Sequence, residues 1–343
     1  MKRETLRLGG GAGFSADRVD AAGQLVEKGA LDYIIFECIA ERTLALGHQE
    51  RKNDPDKGYT PWLERRFEAV LPLCAENGTR VITNMGVANP PAAARRTLEI
   101  AKKLGLTPFR VAYVAGDDVA HLISSETELP ELGCTVGDVD APMIAASAYL
   151  GVEAILPSLD LDVPVIITGR VADPSLFVAP MVHTFGWRLD DWPRLGSATV
   201  VGHLLECAAQ VTGGYFADPG VKHVPDLAYV GFPLAEVSPD GSAVITKVPE
   251  AGGCVTLQTV REQLLYEVHD PAAYISPDVV ADFSTTQLQE IGPDRIEVRG
   301  GGGHPRPRQL KVTVAFDGGY AAEAEISYAG PGAEERTKLA GEI

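Results

Sequence analysis

The chain of 343 residues is acidic and rich in apolar residues, with a formal net charge of −17 at pH 7 and an apolar fraction of 45%. That apolar fraction supports a folded core and excludes a disordered chain, while the net charge argues against nucleic acid as a partner. No apolar run approaches the roughly 20 residues that a membrane-spanning helix needs, and none follows the basic start MKRETLRLGGG. We therefore expect a cytoplasmic protein with no secretory signal and no membrane span.

Segments typical of strands and helices alternate over the first half of the chain. A strand over residues 6–8 leads into a glycine-rich loop, and Ser15 is expected to cap a helix over residues 16–28. Further strands are predicted in LDYIIFECIA, TRVITNMG, FRVAYVAGDD, EAIL and VPVIITGR, with helices over residues 62–77, in PAAARRTLEIAKKLG and over residues 141–150. This alternation predicts an α/β fold with a mainly parallel, Rossmann-like sheet that carries helices on both faces.

The pattern changes after about residue 200. TVVGHLLECAAQVTGG and TVREQLLYEVHDP predict helices, and the pair Asp240-Gly241 is typical of a β-hairpin. DRIEVRG and QLKVTVAFDGGYAAEAEISYAG predict antiparallel strands, the latter with a turn at residues 317–319. We predict two closely packed domains: an α/β domain over residues 1–198 with a ligand site at its strand ends, and an α+β domain over residues 199–343.

Polar residues follow several of the predicted strands. Ligands of open parallel sheets bind beyond the carboxyl ends of the strands, so these residues are candidates for a shared site. The candidates for substrate binding are Gly10, Gly11, Gly13 and Phe14 after the first strand, Glu37 after the second, Asn84 after the third, and Arg170 and Asp173 after the last; Asp117 and Asp118 follow the fourth strand and are candidates for catalysis.

The glycine-rich segment allows two interpretations. Backbone N–H groups before a helix suit a phosphate or carboxylate, whereas glycines also permit a tight turn or close packing. Phe14 stands where a dinucleotide fingerprint has its third glycine, and no Lys-Ser or Lys-Thr follows as in a P-loop. The segment is therefore a candidate anion site without a recognised nucleotide motif.

Three further groups carry chemistry. Asp117 and Asp118 could hold Mg²⁺ or bind a hydroxyl, and Arg170 could bind a substrate carboxylate or pair with Asp173. His203 and Glu206 are three residues apart on a helix face, which permits a proton-transfer dyad, metal ligation or a structural pair. No cofactor is certain, a divalent metal being the one candidate, and five scattered cysteines without a CxxC pair argue against a thiolate zinc site.

Long stretches of the sequence resemble the acyclic terpene utilisation (AtuA) family. The similar segments include GGGAGFSADR, DYIIFECIAERTLAL, TNMGVANP, TGRVADPSLF, VGHLLECAAQVTGGYFADPG and QLLYEVHDPAAYISPDVVADF, in order along nearly the whole chain. The resemblance implies catabolism of citronellol- and geraniol-type terpenes through acyl-CoA intermediates. The implied reaction is carbon–carbon cleavage of 3-hydroxy-3-isohexenylglutaryl-CoA into acetate or an acetyl unit and a shorter CoA ester.

Such a lyase needs a base for the substrate hydroxyl and a group that stabilises the enolate. His203 with Glu206, or Asp117 with Asp118, could supply the base, and Arg170 could hold the glutaryl carboxylate. Backbone N–H groups of the glycine loop or a divalent metal could stabilise the oxyanion. The alternatives are a hydratase or hydrolase of a related thioester and a non-catalytic subunit that binds CoA esters; a homo-oligomer is expected on general grounds.

Overall fold

The computed structural model describes residues 4–323 and 325–342. The strands and helices of this part of the chain are, in order, β1 (Leu6–Ala12), α1 (Asp20–Lys28), β2 (Tyr33–Phe36), α2 (Glu41–Asn53), α3 (Leu63–Asn77), β3 (Arg80–Thr83), α4 (Pro90–Lys103), β4 (Val111–Val114), β5 (Glu128–Leu129), β6 (Cys134–Thr135), β7 (Met143–Ala148), α5 (Val152–Asp160), β8 (Val165–Thr168), α6 (Ser175–Phe185), α7 (Trp192–Glu206), β9 (Pro233–Val237), β10 (Ala243–Lys247), α8 (Leu257–Leu265), β11 (Tyr274–Ile275), β12 (Val280–Asp282), β13 (Gln287–Gly292), β14 (Arg295–Arg299), β15 (Gly302–His304), β16 (Val312–Phe316) and α9 (Ala333–Glu342).

A large mixed sheet forms the centre of the fold. Its strand order is β13-β14-β10-β9-β1-β2-β3-β8-β4. The strands from β1 to β4 in this order run parallel, whereas β9, β10, β14 and β13 join on the other side of β1 by antiparallel pairing. The prediction of an α/β fold with later antiparallel strands is confirmed. A Rossmann-like sheet would have a second parallel half beyond β1, where this sheet has antiparallel strands.

The two halves of the chain share this sheet. β9 pairs directly with β1, and α7 covers residues on both sides of position 198. A domain boundary after residue 198 would therefore fall within a helix and would separate strands that are hydrogen-bonded to each other.

Alternating side chains of the sheet build one core on each face. Tyr33 and Ile35 pack with residues of α5, α6 and α7, whereas Ile34 and Phe36 pack on the opposite face with residues of α1, α3 and α4. Successive residues of a strand point to opposite faces, so a strand that is apolar throughout is buried on both sides. None of the described helices combines the length and apolar character required to cross a membrane.

The glycine-rich segment is part of β1, so the prediction of a loop after residue 8 is wrong. Gly10 allows β1 to lie against α7, because a Cβ there would be 2.5 Å from the carbonyl oxygen of Leu205. A Cβ on Gly13 would be 2.7 Å from the backbone of Cys207. The predicted helix start is also wrong: residues 14–17 form a turn, and α1 begins at Asp20.

Adding a methyl group at Gly10 is expected to destabilise the fold. Gly10→Ala forces a backbone shift between β1 and α7, for which overpacking of a core typically costs about 1–3 kcal/mol. Urea unfolding should show this loss as a lower midpoint. Gly23→Ala is the control, because the nearest atom to its added Cβ is Leu73 Cδ1 at 3.7 Å; equal midpoints for the two variants would contradict the packing role.

Two local predictions fail around β7, and a third fails after its partner strand β16. Residues 143–148 form a strand, not a helix, and EAIL belongs to helix α5. β7 pairs with β16, which lies far along the chain, so local periodicity does not reveal the partner. β16 ends at Phe316, and no strand follows it in residues 317–323 or 325–331; residue 324, within the predicted strand, lies outside the described part.

Candidate functional site

A cavity of about 790 Å³ lies at the carboxyl ends of β1, β2 and β8. Its volume falls in the range of small-molecule sites, about 300–1,000 Å³. Of the residues predicted from the sequence, those that line this strand-end cavity are Gly13, Glu37, Arg170, Asp173 and Glu206. Segments far apart in the sequence therefore meet at one edge of the sheet.

The remaining predicted residues do not line this cavity. Asp117 is buried, and its Oδ2 accepts a hydrogen bond from the backbone N–H of Arg170 at 2.8 Å. Asp118 is exposed, and its carboxylate lies 3.8 Å from Arg51 Nη1. Phe14 is half exposed, and Gly11, like Gly10, belongs to β1. Neither aspartate lines the cavity, where a general base would have to lie.

Asn84 and the backbone of Ile39 fix one carboxyl oxygen of Glu37. The amide Nδ2 of fully buried Asn84 donates to Glu37 Oε1 at 2.9 Å, and the backbone N–H of Ile39 donates to the same oxygen at 2.8 Å. Glu37 Oε2 receives no hydrogen bond from the described residues. Burial raises the pKa of Glu37 well above its ordinary value, and the nearby carboxylate of Asp173 raises it further. Glu37 is thus a fixed carboxyl group with one oxygen free and an increased affinity for a proton.

Arg170 is buried and already has several partners. Its Nη1 donates to the carbonyl oxygen of Ile39 at 2.9 Å, and its Nη2 lies 3.2 Å from Asp173 Oδ1. The guanidinium carbon lies 3.9 Å from the centre of the Tyr149 ring. Its Nε has no hydrogen-bond partner among the described residues. The arginine brings a fixed positive charge into the cavity, and the ion pair with Asp173, one of the two alternatives from the sequence, is present.

His203 is hydrogen-bonded to Glu206 and does not itself line the cavity. Nδ1 of His203 is 2.8 Å from Glu206 Oε1, and Nε2 is 2.9 Å from the carbonyl oxygen of Gln263. A carbonyl can only accept, so Nε2 carries a hydrogen. Burial lowers the pKa of His203 to about 4 and raises that of Glu206 well above its ordinary value. These shifts favour a neutral pair, in which the Glu206 carboxyl donates to Nδ1.

The second carboxyl oxygen of Glu206, Oε2, differs from the first because it has no described partner. Oε2 is buried and has no hydrogen-bond partner among the described residues. An unpaired buried acceptor is costly, about 1–3 kcal/mol, and a donor on a bound ligand would remove that cost. Cys207 also lines the cavity, but burial raises its thiol pKa, which argues against a thiolate nucleophile.

The walls of the cavity carry more negative than positive groups, and sequence reasoning missed many of them. The lining residues not predicted as site residues include the carboxylates Glu41, Glu267 and Asp270, the aromatic residues Tyr149, Tyr266 and Tyr274, and Lys311. Tyr149 donates to Glu41 Oε1 at 2.5 Å. The centre of its ring lies 3.9 Å from the guanidinium carbon of Arg170 and 4.9 Å from Lys311 Nζ. Tyr149 and Lys311 flank the β7–β16 pair, and β7 was predicted as a helix, so this pairing was not predicted.

No group of three or more histidine, cysteine, aspartate or glutamate residues is placed to hold a metal ion within residues 4–323 and 325–342. Asp117 with Asp118, and His203 with Glu206, are therefore pairs without a third side-chain ligand of these types in that part.

Comparison with known proteins identifies the family of the chain. The family model described as "Acyclic terpene utilisation family protein AtuA" matches residues 6–343. Neither the curated proteins nor the solved structures contain a match to the chain.

Proposed function

The chain belongs to the acyclic terpene utilisation family, and from this premise we propose that it is a carbon–carbon lyase acting on a 3-hydroxy-3-alkylglutaryl thioester of coenzyme A. In this retro-aldol reaction the 3-hydroxyl loses its proton, a ketone forms at that carbon, and the bond to a neighbouring CH₂ group breaks. The electron pair of that bond remains on the CH₂ carbon as an enolate, which then takes up a proton. Family membership itself implies a role in acyclic terpene utilisation.

One observation carries the proposal: two buried carboxyl groups line the same cavity as a buried arginine, Glu37 with its described hydrogen bonds on Oε1 alone and Glu206 with an unpaired Oε2. Glu37 takes the hydroxyl proton on its free Oε2 and returns it to the enolate carbon. A base with a raised pKa suits this task, since general catalysis is most efficient when the pKa lies near the working pH. Arg170 stabilises negative charge on the enolate or the free carboxylate of the substrate.

Glu206 and His203 bind and orient rather than transfer the proton. The free Oε2 of Glu206 accepts a hydrogen bond from the ligand, and His203, whose two ring nitrogens are both engaged, fixes the carboxyl group. The glycines offer little to an oxyanion: Gly10 and Gly11 belong to β1, and the N–H of Gly13 donates to Asp17 Oδ2 at 2.9 Å. The oxyanion therefore depends on Arg170 in this proposal.

The acidic walls determine how such a thioester would enter. Phosphates of coenzyme A would be repelled inside the strand-end cavity, so only the acyl part is expected there. Lys311 lies at the cavity, and the exposed Arg308 lies close to it in the sequence. The nucleotide part of the substrate is expected outside the cavity, near these cations.

Incubation of the purified chain with a branched 3-hydroxy-3-alkylglutaryl-CoA tests the proposal. We expect mass spectrometry to show two carbon fragments, one of them acetate or an acetyl unit. Loss of water from intact thioester would indicate a hydratase, free coenzyme A with intact acid a hydrolase, and calorimetric binding without turnover a non-catalytic subunit. Absence of binding and turnover, alone and with neighbouring pathway proteins, would remove the proposal and its thioester alternatives.

A further inference from the structure

Tyr274, in β11, lines the strand-end cavity and has a ring that is fixed by its neighbours. The ring stacks on that of Phe283 with a centroid distance of 4.8 Å and an interplanar angle of 18°. The ring of His203 lies 5.5 Å away on another side. Backbone pairing of Tyr274 with Ala281 of β12 holds the strand itself. The side chain is therefore held in one position before any ligand binds.

The phenol hydroxyl of Tyr274 is not needed for this packing, because a phenylalanine ring would stack in the same way. Within residues 4–323 and 325–342, no residue forms a hydrogen bond with that hydroxyl. A partly buried hydroxyl without a partner reduces stability. A ligand that accepts a hydrogen bond in the strand-end cavity would remove this cost.

The surroundings of the hydroxyl keep it protonated. Burial raises the pKa of Tyr274 well above its ordinary value, and the nearby acidic groups of Glu206 and Asp173, which line the same cavity, raise it further. The phenol is therefore a hydrogen-bond donor at neutral pH and cannot serve as a base there. An uncharged donor that needs no counter-ion is suited to a cavity whose walls are mainly acidic.

Other donors at the cavity already have partners. Arg170 donates to a backbone carbonyl and lies 3.2 Å from Asp173, and the N–H of Gly13 donates to Asp17. The proposed lyase, in contrast, develops negative charge on a carbonyl oxygen that needs a donor in a fixed position. Tyr274 meets both conditions, since its ring is fixed and its hydroxyl has no partner in the described part of the chain.

We propose that the hydroxyl of Tyr274 donates a hydrogen bond to the carbonyl oxygen on which the enolate charge develops, as a catalytic residue beside Arg170. The inference rests on the proposed function for the identity of the reaction. As the carbon–carbon bond breaks, its electron pair is delocalised onto this oxygen, and the hydrogen bond strengthens as the charge grows. Tyr274 keeps its own proton throughout, because the proton of the 3-hydroxyl goes to Glu37 and returns to the enolate carbon.

The first test detects this hydrogen bond without the reaction. Tyrosine labelled with carbon-13 at the ring carbon that carries the hydroxyl reports on hydrogen bonding by NMR, and the resonance missing from Tyr274→Phe belongs to Tyr274. Acetohydroxamate is the probe, because its ionised form carries an enolate-like oxygen anion. We expect the probe to shift the Tyr274 resonance and to bind Tyr274→Phe about tenfold more weakly or worse, since a hydrogen bond to a charged group is lost.

Tyr113→Phe is the matched control for the loss of a phenol hydroxyl. Tyr113 is 51% exposed in β4 and does not line the cavity. Its variant should bind the probe as the parent chain does. Failure of the probe to shift the Tyr274 resonance would overturn the inference, as would equal weakening of binding in both variants.

The second test measures cleavage of a 3-hydroxy-3-alkylglutaryl-CoA. Tyr274→Phe is expected to lower kcat by about 10²–10³, the range for loss of one oxyanion donor, with KM and the urea unfolding midpoint nearly unchanged. An undiminished kcat in Tyr274→Phe overturns the inference and leaves the lyase proposal standing. A shifted resonance in a chain that does not cleave the thioester has the opposite meaning: Tyr274 stands as a donor to an oxyanion, and the lyase does not.

Discussion

Glu37→Gln is expected to lower kcat of thioester cleavage by a factor on the order of 10²–10⁴, the range for loss of a general base. Glutamine keeps the oxygen that accepts from Asn84 and Ile39, so the side chain stays in place. What it loses is the free carboxylate oxygen that takes the hydroxyl proton. KM is expected to change little, and the unfolding midpoint should not fall. Steady-state kinetics beside urea unfolding separate these quantities.

Asp117→Asn is the informative comparison, because the sequence alone offers Asp117 as a base too. Asparagine retains an oxygen that can accept from the backbone N–H of Arg170, and Asp117 does not line the cavity. We expect Asp117→Asn to keep most of the activity. An unchanged kcat in Glu37→Gln, or an equally large loss in Asp117→Asn, would assign the base elsewhere.

The pH profile gives this prediction a second readout. Glu37 must be ionised to accept a proton, so kcat rises with pH through its pKa in the complex. Burial and the charge of Asp173 both raise that pKa, so the rising limb lies above the usual glutamate value of about 4.3. Asp173→Asn removes the like charge and should move the limb to lower pH. A limb that stays in place would show that Glu37 is not the titrating group.

The strand ends of the parallel half could be located from the sequence. Short apolar runs such as the one ending at Glu37 have few alternatives to a buried strand, and parallel strands place their carboxyl ends at one edge. Glu37, Arg170 and Asp173 were found in this way. Glu206 was found differently, from its spacing to His203 on a helix.

Long-range packing could not be predicted from the sequence in the same way. Gly10 of β1 is required by the approach of α7, nearly 200 residues later, and a loop with the same sequence would look identical. β7 is a strand because β16 pairs with it. Tyr149 and Lys311 lie at the ends of that pair, so missing the strand meant missing two residues of the cavity wall. The acidic character of the site became visible only when the distant carboxylates were brought together.

Glu206→Gln is expected to stabilise the protein, increasingly so as pH rises. If the pair is neutral, the Glu206 carboxyl donates to His203 Nδ1, and the amide of glutamine can donate in its place. In the parent chain the unfolded state ionises Glu206 from about pH 4.3 upward, while the folded state keeps the proton because its pKa is raised. The folded state then binds more protons, so its unfolding free energy falls with pH until the folded pKa is reached.

Glutamine cannot ionise, so position 206 does not lower the unfolding free energy of the variant as pH rises. The unfolding free energy of Glu206→Gln minus that of the parent should grow by about 1.4 kcal/mol per pH unit within that window. Urea unfolding at a series of pH values from about 5 to about 8 measures it. Other buried acids, such as Asp278, contribute equally to both chains and cancel in the difference.

Glu27→Gln, at an exposed position of α1, is the control and should show no such growth. An imidazolium–carboxylate pair predicts the opposite sign. Removing the carboxylate would then leave a buried cation without its partner, which typically costs about 3–5 kcal/mol, and Glu206→Gln would be the less stable chain. The sign of the difference at neutral pH therefore decides whether Glu206 presents a neutral carboxyl group or a carboxylate to the ligand.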